Sequence, residues 1–439
     1  MQLVAYGAQD VYLTGNPKVT FFQAVYKRHT NFAMEMIEQV VNGSAASSGR
    51  ISVTIARNGD LIGNMFLDLT VLAAKATAVD LAAGTNGACW AAERSIQDIE
   101  LTIGGQRIDK HYQRWWRLYA ELYLDNAKKA EWGKMTSIAP GSTEASACNV
   151  RLPLIFFFNR NPGLYLPLIA LQYHEVRLDI DLSADYGSFF NGVKVWGNYV
   201  YLDTEERRRF AQKGHEYLIE QVQHTGADAV TSSVGQQSIR LSYNHPVKEL
   251  VWCYNAGKTS GQADQGNELW NFTSDPGDSN VTNNVLQTAA ASNTFIQPHL
   301  SGAPFLHACG GTAGEAGYSM LSERTLVSST GIVSAGPLAE FKLVLNGQDR
   351  FKAQNGGYFN EYQPYQYHSG CPYAGVYCYS FGLKPEEHQP TGTCNFSRID
   401  NAQVQLTCKE TGLTQQSMFA TNYNVLRIQS GMGGLAFSN

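Results

Sequence analysis

The sequence is poor in charged residues, and the few that it has are nearly balanced. Only 16% of its 439 residues are charged, and the net charge is −5, whereas a typical globular chain is about 25% charged. This balance gives no bulk attraction for nucleic acid, so we expect no direct nucleic-acid binding. The basic runs Lys27-Arg28-His29 and Arg207-Arg208-Arg209 are short and are better explained as solvated faces or contact patches.

Long apolar segments are missing as well. No stretch reaches the roughly 18 apolar residues of a membrane-spanning helix, and the first residues lack the basic and apolar regions of a secretory signal peptide. We therefore expect the chain to be made and folded in the cytosol. Its eight cysteines include no C-x-x-C pair, which fits free thiols. Cys253, Cys378 and Cys408 fall in apolar runs, where burial is expected.

Motifs for catalysis or metal binding are also absent. Gly257-Lys258-Thr259 resembles the end of a phosphate-binding loop, but Trp252 stands where that loop needs a glycine. His174-Glu175 and His215-Glu216 begin a zinc-protease motif whose second histidine is missing, and no G-x-S-x-G nucleophile motif occurs. The sequence therefore predicts that the protein is not an enzyme and has no catalytic residue, no metal site and no cofactor.

What the sequence does contain is a duplication. The alternating run Ile99 to Ile103 leads into Gly104-Gly105-Gln106-Arg107-Ile108-Asp109, and later Phe341 to Leu345 leads into Asn346-Gly347-Gln348-Asp349-Arg350. An aromatic segment follows each copy. The flanking runs also correspond in order, for example Ile51 to Ile55 with Ile239 to Tyr243, and Ala170 to Leu182 with Phe396 to Cys408.

Each half of the duplication carries eight strand-like segments, with long excursions after the third and the fifth. This pattern predicts an all-β chain of two tandem eight-stranded antiparallel jelly rolls, a double jelly roll with long D–E and F–G loops and short helices. We expect an N-terminal arm over 1–24, a first jelly roll over 25–212 and a second over 213–439. The long D–E loop of the second lies at about 256–337.

Within this frame the local patterns give narrower expectations. Aromatic residues at helical spacing predict a helix over 112–126, whereas Arg151 to Phe158 is predicted to be a strand. Gly104 to Asp109 is interpreted as the tight E–F turn. Arg107 and Arg350 would make hydrogen bonds within or between subunits, and Asp179 and Asp181 would lie on a hydrated outer face of a strand.

Four N-x-S/T sequons occur, at Asn42, Asn271, Asn280 and Asn395. Without a secretory signal, chance matches are the default interpretation. Asn271 and Asn280 fall in the long D–E loop and are the only two expected to be exposed. They are therefore the candidate glycosylation sites.

Long ordered segments resemble the major capsid proteins of nucleocytoplasmic large DNA viruses, with the greatest likeness to algal, chlorella-virus-type members. The resemblance runs from about residue 2 to 439 and excludes 256–337. Its strongest segments are Gly7 to Pro17, Tyr26 to Ala33, Gly104 to Tyr112, Leu152 to Asn159, Leu168 to Val176, Leu345 to Phe351, Gly392 to Asn401, Asn422 to Ile428 and Ser430 to Leu435.

The resemblance implies a capsid protein that forms homotrimeric capsomers of pseudo-hexagonal outline, which tile an icosahedral virion shell. It further implies contacts with neighbouring capsomers and with minor capsid and penton proteins. An internal membrane would lie nearby without being spanned, with the arm 1–24 near it. Assembly would take place in the host cytoplasm. The D–E and F–G loops would form the outer tower, where some family members carry glycans.

Three other interpretations stay open at the level of sequence. A jelly roll can be a sugar-binding module, and the Tyr-rich segment 358–379, with Tyr362 and Tyr365, would then be the site. A sandwich enzyme would need an acid–base group in a groove, and no convincing one is present. A minor capsid or penton role is the nearest alternative, although pentons generally have one jelly roll.

Overall fold

The computed structural model describes residues 31–72, 90–138, 149–230, 235–256, 338–370, 372, 375–408 and 413–437, and four two-residue strands between 287 and 332. The arm 1–24, Gly257-Lys258-Thr259 and most of the loop 256–337 lie outside the described residues. Two sequence-related halves make up the described part. They are called here the first roll, Phe32 to Leu202, and the second roll, His215 to Leu435.

Ten strands form the first roll, in two sheets. They are β1 Phe32–Gln39, β2 Val41–Gly43, β3 Arg50–Thr54, β4 Leu61–Val71, β5 Ile96–Ile103, β6 Gln106–Tyr112, β7 Asn149–Pro153, β8 Leu166–Pro167, β9 Val176–Leu182 and β10 Phe190–Leu202. One sheet has the order β1-β10-β4-β7, with β8 beside β4, and the other has the order β2-β3-β9-β5-β6. All of these pairings are antiparallel.

The second roll repeats this arrangement. Its strands are β11 His215–Ala229, β12 Gln237–Leu241, β13 Pro246–Ala256, β14 Gln287–Thr288, β15 Phe295–Ile296, β16 Val327–Ser328, β17 Gly331–Ile332, β18 Leu338–Leu345, β19 Gln348–Asp349, β20 Gln354–Asn355, β21 Val376–Ser380, β22 Cys394–Asn395, β23 Ala402–Cys408, β24 Leu413–Gln429 and β25 Met432–Leu435. The main sheets have the orders β11-β24-β13-β21 and β12-β23-β18-β19.

Lettering the eight main strands of each roll from B to I in chain order gives the same two sheets twice, B-I-D-G and C-H-E-F. This is the double-sheet arrangement of a jelly roll, and it confirms the predicted fold class. The long excursions after D and F are also confirmed. They fall between β4 and β5 and between β6 and β7 in the first roll, and between β13 and β18 and between β19 and β21 in the second.

The helices are short and lie mostly in the connections. They are α1 Ala91–Ser95, α2 Gln113–Tyr123, α3 Asn126–Thr136, α4 Phe157–Arg160, α5 Tyr186–Phe189, α6 Thr204–Gln212 and α7 Gln363–Tyr367, with 3-10 turns at Pro162–Leu164 and Phe396–Arg398 and a π turn at Tyr358–Tyr362. The predicted helix over 112–126 is present as α2. The predicted strand over Arg151 to Phe158 is wrong beyond Pro153, because the chain leaves the sheet there and enters helix α4 at Phe157. A short run of buried apolar residues such as Phe156 to Phe158 has no periodicity that separates a strand from a short helix.

The two E–F turns explain why the duplicated motif begins with Gly-Gly in one copy and Asn-Gly in the other. Gly104 and Gly105 have φ values of 58° and 80°, and Asn346 and Gly347 have 51° and 79°. A two-residue hairpin of type I′ requires positive φ at both central positions, which Gly and Asn tolerate best. The interpretation of Gly104 to Asp109 as the E–F turn is therefore confirmed.

Strand β9 shows how alternation creates the first core. Val176, Leu178, Ile180 and Leu182 point inward and are buried. On the opposite face, Asp179 is buried rather than hydrated, which corrects the prediction for this residue. Arg177 and Arg50 cover it, with nitrogen–oxygen distances of 2.6 and 3.6 Å. The half-buried Asp181 pairs with Arg50 at 3.6 Å.

Candidate functional site

The junction between the two rolls contains aromatic, ionic and hydrogen-bonding contacts between residues of both halves. Helix α2 of the first roll lies on the outer face of the B-I-D-G sheet of the second. The ring of Trp115 lies 5.6 Å from that of Phe419, and Tyr112 lies 4.9 Å from His224. As a result, Cys253 and other outward residues of the second roll join the apolar core of the first.

Cysteine burial on this covered face follows the sequence prediction. Cys253 and Cys378 are fully buried, and burial raises the pKa of the Cys253 thiol to about 12. Cys408 is only half-buried. Burial keeps the Cys253 thiol protonated, and a protonated thiol is a poor nucleophile. The buried cysteines therefore contribute to packing as small apolar side chains.

A buried ionic network joins helix α2 to helices α1 and α3. Arg117, on α2, lies 3.5 Å from Glu93 of α1 and 3.2 Å from Glu121, and Lys129 of α3 lies 3.4 Å from Glu121. All four side chains are nearly fully buried. Since a buried charge is tolerated only when it is paired, these residues hold three helices in one arrangement and present α2 to the second roll.

A second buried cluster ties the rolls directly. Glu220 of β11 lies 2.7 Å from Arg160 of the first roll and 2.8 Å from Lys248 of β13. Burial would raise the pKa of Glu220, but these two cations outweigh burial and hold it well below its usual range. Burial also lowers the pKa of Lys248 to about 8, against the opposing effect of Glu220. At neutral pH the pair is therefore charged and contributes to the junction.

A third cluster centres on His368, which follows α7. Its Nε2 lies 3.1 Å from Glu249 of β13, its Nδ1 lies 3.3 Å from Glu386, and its ring meets that of Tyr123 edge-on at 5.1 Å. Burial would lower the pKa of His368, but Glu249 outweighs burial and raises it well above the ordinary value. The imidazolium therefore bridges two carboxylates beside the end of helix α2.

The E–F turn of the first roll is also part of the junction. Gly104 lies against the His174 ring, where an added Cβ would come within 2.3 Å of Nδ1. That nitrogen lies 2.8 Å from the carbonyl oxygen and 3.1 Å from the amide nitrogen of Gly433, and Gln106 accepts from the Leu435 amide at 3.2 Å. The turn, which first suggests a ligand loop, therefore holds the final hairpin of the second roll.

A polar cavity of about 180 Å³ lies next to this turn, between β6 and β11. Asp109 and Lys110, two of the charged groups around it, already have partners. Asp109 accepts from the Val222 amide at 3.0 Å and lies 3.1 Å from His111, and Lys110 pairs with Asp98 at 3.1 Å. Within the described residues, no three His, Cys, Asp or Glu side chains converge as metal ligands would.

The candidate glycosylation sites Asn271 and Asn280 lie outside the described residues. The expectation that only these two sequons are exposed is wrong, because Asn42 and Asn395 are exposed as well. They lie in the short strands β2 and β22. Of the two arginines expected to make hydrogen bonds, Arg350 bonds the side chain of Tyr379, and Arg107 is exposed.

The described residues include two exposed apolar surfaces, of which the sequence analysis missed the first and considered the second only as a sugar-binding site. One is on β1, where Phe32, Met34 and Met36 are 56%, 47% and 43% exposed, and the other is at α7, where Tyr362 and Tyr365 are 54% and 80% exposed. The signal for the first was visible, because Phe32, Met34 and Met36 alternate on one face of β1 whereas Ile37 on the opposite face packs against the core.

The chain matches two family models, described as large eukaryotic DNA virus major capsid protein over residues 206–434 and major capsid protein N-terminus over residues 20–203. It is 43% identical to the major capsid protein of Paramecium bursaria Chlorella virus 1, over 100% of this chain and 99% of that protein. The crystal structure of PBCV-1 VP54 has a TM-score of 0.70 at 39% identity, covering 96% of this chain and 100% of that one.

A more distant structure shares the fold alone. The Faustovirus major capsid protein has a TM-score of 0.67 at 12% identity, covering 97% of this chain and 94% of that one. Among the helices that the structure describes, none combines the length and apolar character that a membrane crossing requires.

Proposed function

Because this chain belongs to the family of large eukaryotic DNA virus major capsid proteins, we propose that three copies of it form a pseudo-hexagonal capsomer. Such capsomers would tile an icosahedral virion shell. The protein is a structural capsid protein and not an enzyme. A structural neighbour solved in the PBCV-1 virus capsid supports the assembly into a shell.

The observation that carries the trimer is the repeated strand order B-I-D-G and C-H-E-F. Each chain brings two similar lobes, so a threefold ring of chains has six lobes and a nearly hexagonal outline. A hexagonal outline lets identical units fill a surface. A chain with one jelly roll would need six copies for the same shape.

The experiment is a mass measurement on the purified protein by light scattering or native mass spectrometry, with negative-stain images of the same sample. We expect a stable mass of three chains and class averages with six lobes. A protein that is a monomer at micromolar concentration would overturn the proposed capsomer.

We also propose the division of the chain into an arm at 1–24, a first jelly roll at 25–212 and a second at 213–439. The arm would contact the inner side of the shell, near the internal membrane and the minor capsid proteins. Deleting 1–24 should leave the trimer mass unchanged and impair shell assembly. Loss of the trimer would contradict this role of the arm.

Further partners follow from a shell location in the virion. Neighbouring capsomers would meet along the six sides, and penton proteins would fill the fivefold vertices. Assembly would take place in the host cytoplasm. Pull-down of disrupted virions with a tagged trimer, followed by mass spectrometry, should recover a small set of minor capsid proteins, and recovery of none would count against these contacts.

Glycans on the outer loop are the last part of the proposal. Asn271 and Asn280 are sequons in the long D–E loop, which would form part of the outer surface. Intact-mass measurement of virion-derived protein, with peptide mapping, should find added hexose mass on peptides that contain these residues. Unmodified peptides at both positions would refute the assignment.

A further inference from the structure

The contact between the two rolls has two different sides. One side is the aromatic helix that follows strand F of the first roll, α2. The other is the outer face of the B-I-D-G sheet of the second roll, where Phe419 and Cys253 are buried under it. A contact with unlike sides is heterologous, so it can be repeated from lobe to lobe.

The first roll has the same outer face, and among the described residues its β1 edge is exposed whereas Val200 of β10 is buried. Phe32, Met34 and Met36 of the edge strand β1 point outward there, each about half exposed. Their cross-strand partners on β10 are Leu202, Val200 and Asn198. A row of large apolar side chains on an outer sheet face is what an interface core requires.

The second roll has the same aromatic element after its strand F, and its outer side is also uncovered. The π turn Tyr358–Tyr362 and helix α7 carry Tyr362 and Tyr365, which are 54% and 80% exposed. The element itself is rigid. Phe359 is fully buried, the rings of Tyr358 and Tyr362 stack at 5.5 Å, and Gln363 donates to the Tyr358 hydroxyl at 2.8 Å.

We propose that the Tyr362/Tyr365 knob of one chain docks on the Phe32/Met34/Met36 face of a second copy. This contact continues between chains the one that α2 makes within the chain. Each chain then offers one free knob and one free face, and a ring of chains closes when no knob or face is left. The inference rests on the proposed homotrimer and names the two surfaces that form it.

Two double variants test the assignment, with Leu383→Glu as the matched control because Leu383 is 73% exposed and lies outside both surfaces. Met34→Glu with Met36→Glu places two carboxylates on the face, and Tyr362→Glu with Tyr365→Glu places two on the knob. Buried unpaired charges are costly, so each double variant should have the mass of one chain, at concentrations where wild type and Leu383→Glu have the mass of three.

Mixing the two double variants gives the sharper result. The face variant retains an intact knob and the knob variant an intact face, so a heterologous contact predicts a complex of two chains and nothing larger. Only folded variants can combine, so the mixture also checks folding. A mixture that stays monomeric, or one that forms trimers, would overturn the pairing.

A cross-link tests the contact without disturbing it. A photoreactive benzophenone residue in place of Tyr365 should link to another chain within residues 32–36, as mapped by mass spectrometry. Cross-links that fall elsewhere, or double variants that remain trimers like the control, would refute the surfaces while leaving the trimer intact. A monomeric wild type would instead refute the proposed capsomer.

Discussion

The ring of Trp115, on helix α2 of the first roll, lies 5.6 Å from the ring of Phe419 in the second roll, and both side chains are buried. The two aromatic residues are far apart in sequence, one on a helix of the first roll and the other on strand β24 of the second. Their contact places side chains of both rolls in one apolar core. The rolls should therefore unfold as one cooperative unit, although each has its own jelly-roll order.

Replacing Phe419 by Ala tests this coupling. Removing a buried aromatic ring should lower the free energy of unfolding by about 3–5 kcal/mol. The measurement is urea denaturation followed by fluorescence and circular dichroism. Leu383→Ala, at an exposed position, should change stability by less than about 0.5 kcal/mol. Two separate transitions in the wild type would show that the rolls are not coupled through this face.

Arg117→Met tests the ionic network behind helix α2. The change removes the cation that lies 3.5 Å from Glu93 and 3.2 Å from Glu121, and only Glu121 keeps a second one, Lys129. Removing one partner of a buried ion pair costs about 3–5 kcal/mol, as should appear in thermal unfolding. Arg151→Ala is the control, because Arg151 is exposed and 3.9 Å from Asp68, and it should cost about 0–1 kcal/mol. Equal losses in both variants would contradict the network's role.

The sequence predicted the sheets well, because burial in a sandwich leaves a period-2 pattern. The run Val176, Leu178, Ile180 and Leu182 could be assigned to one buried face from alternation alone, and the structure confirms it. The E–F turns were predictable for a similar local reason, since Gly104 and Asn346 occupy positions of positive φ.

The junction was not predictable, because its partners are distant in the chain and carry no periodic signal. Glu220, Arg160 and Lys248 look like ordinary surface charges in sequence, yet they form one buried cluster. Asp179 was assigned to a hydrated face because alternation gives the side of a sheet, not what covers it. Likewise, Phe156 to Phe158 carry strand-forming residues but are buried on every side.

A pair of glycine variants tests the contact of the E–F turn with the final hairpin. Gly104 and Gly105 both have positive φ, so Ala at either should cost about 1–2 kcal/mol of stability through backbone strain. Only at Gly104 would the added Cβ also meet the His174 ring, which should add about 1–3 kcal/mol of overpacking.

Chemical denaturation of both single variants measures the difference, and the double variant Gly104→Ala with His174→Ala supplies the control. Once the ring is removed, the cost of Gly104→Ala, measured relative to His174→Ala alone, should equal the cost of Gly105→Ala in the wild type. Equal costs for the two single variants would show that the turn does not pack tightly against His174.

The pH dependence of stability tests the bridge made by His368. Its pKa is raised in the folded protein above the ordinary 6.5, because Glu249 outweighs the opposing effect of burial. A raised pKa stabilises the fold fully below about pH 6.5, and the contribution is lost as the pH rises through the folded value. Stability owed to His368 should therefore decrease as the pH rises above 6.5.

The double variant His368→Gln with Glu249→Gln isolates that contribution, because Glu249, whose pKa burial raises, would otherwise take up the proton that His368 no longer holds. The stability of wild type relative to this variant should be highest near pH 6 and should fall by about 1.4 kcal/mol per pH unit as the pH rises towards the folded pKa of His368. Lys248 acts in the opposite direction, because burial lowers its pKa to about 8, but it is present in both proteins and cancels in the comparison. Unfolding midpoints at pH 6 and 9.5 provide the measurement.

His215→Gln, at a half-buried histidine outside the cluster, should differ from wild type by less than about 1 kcal/mol at either pH. A difference between wild type and the double variant that stays constant from pH 6 to 9.5 would mean that His368 and Glu249 hold no extra proton in the folded protein, and that the second roll is held to helix α2 by packing alone at this point.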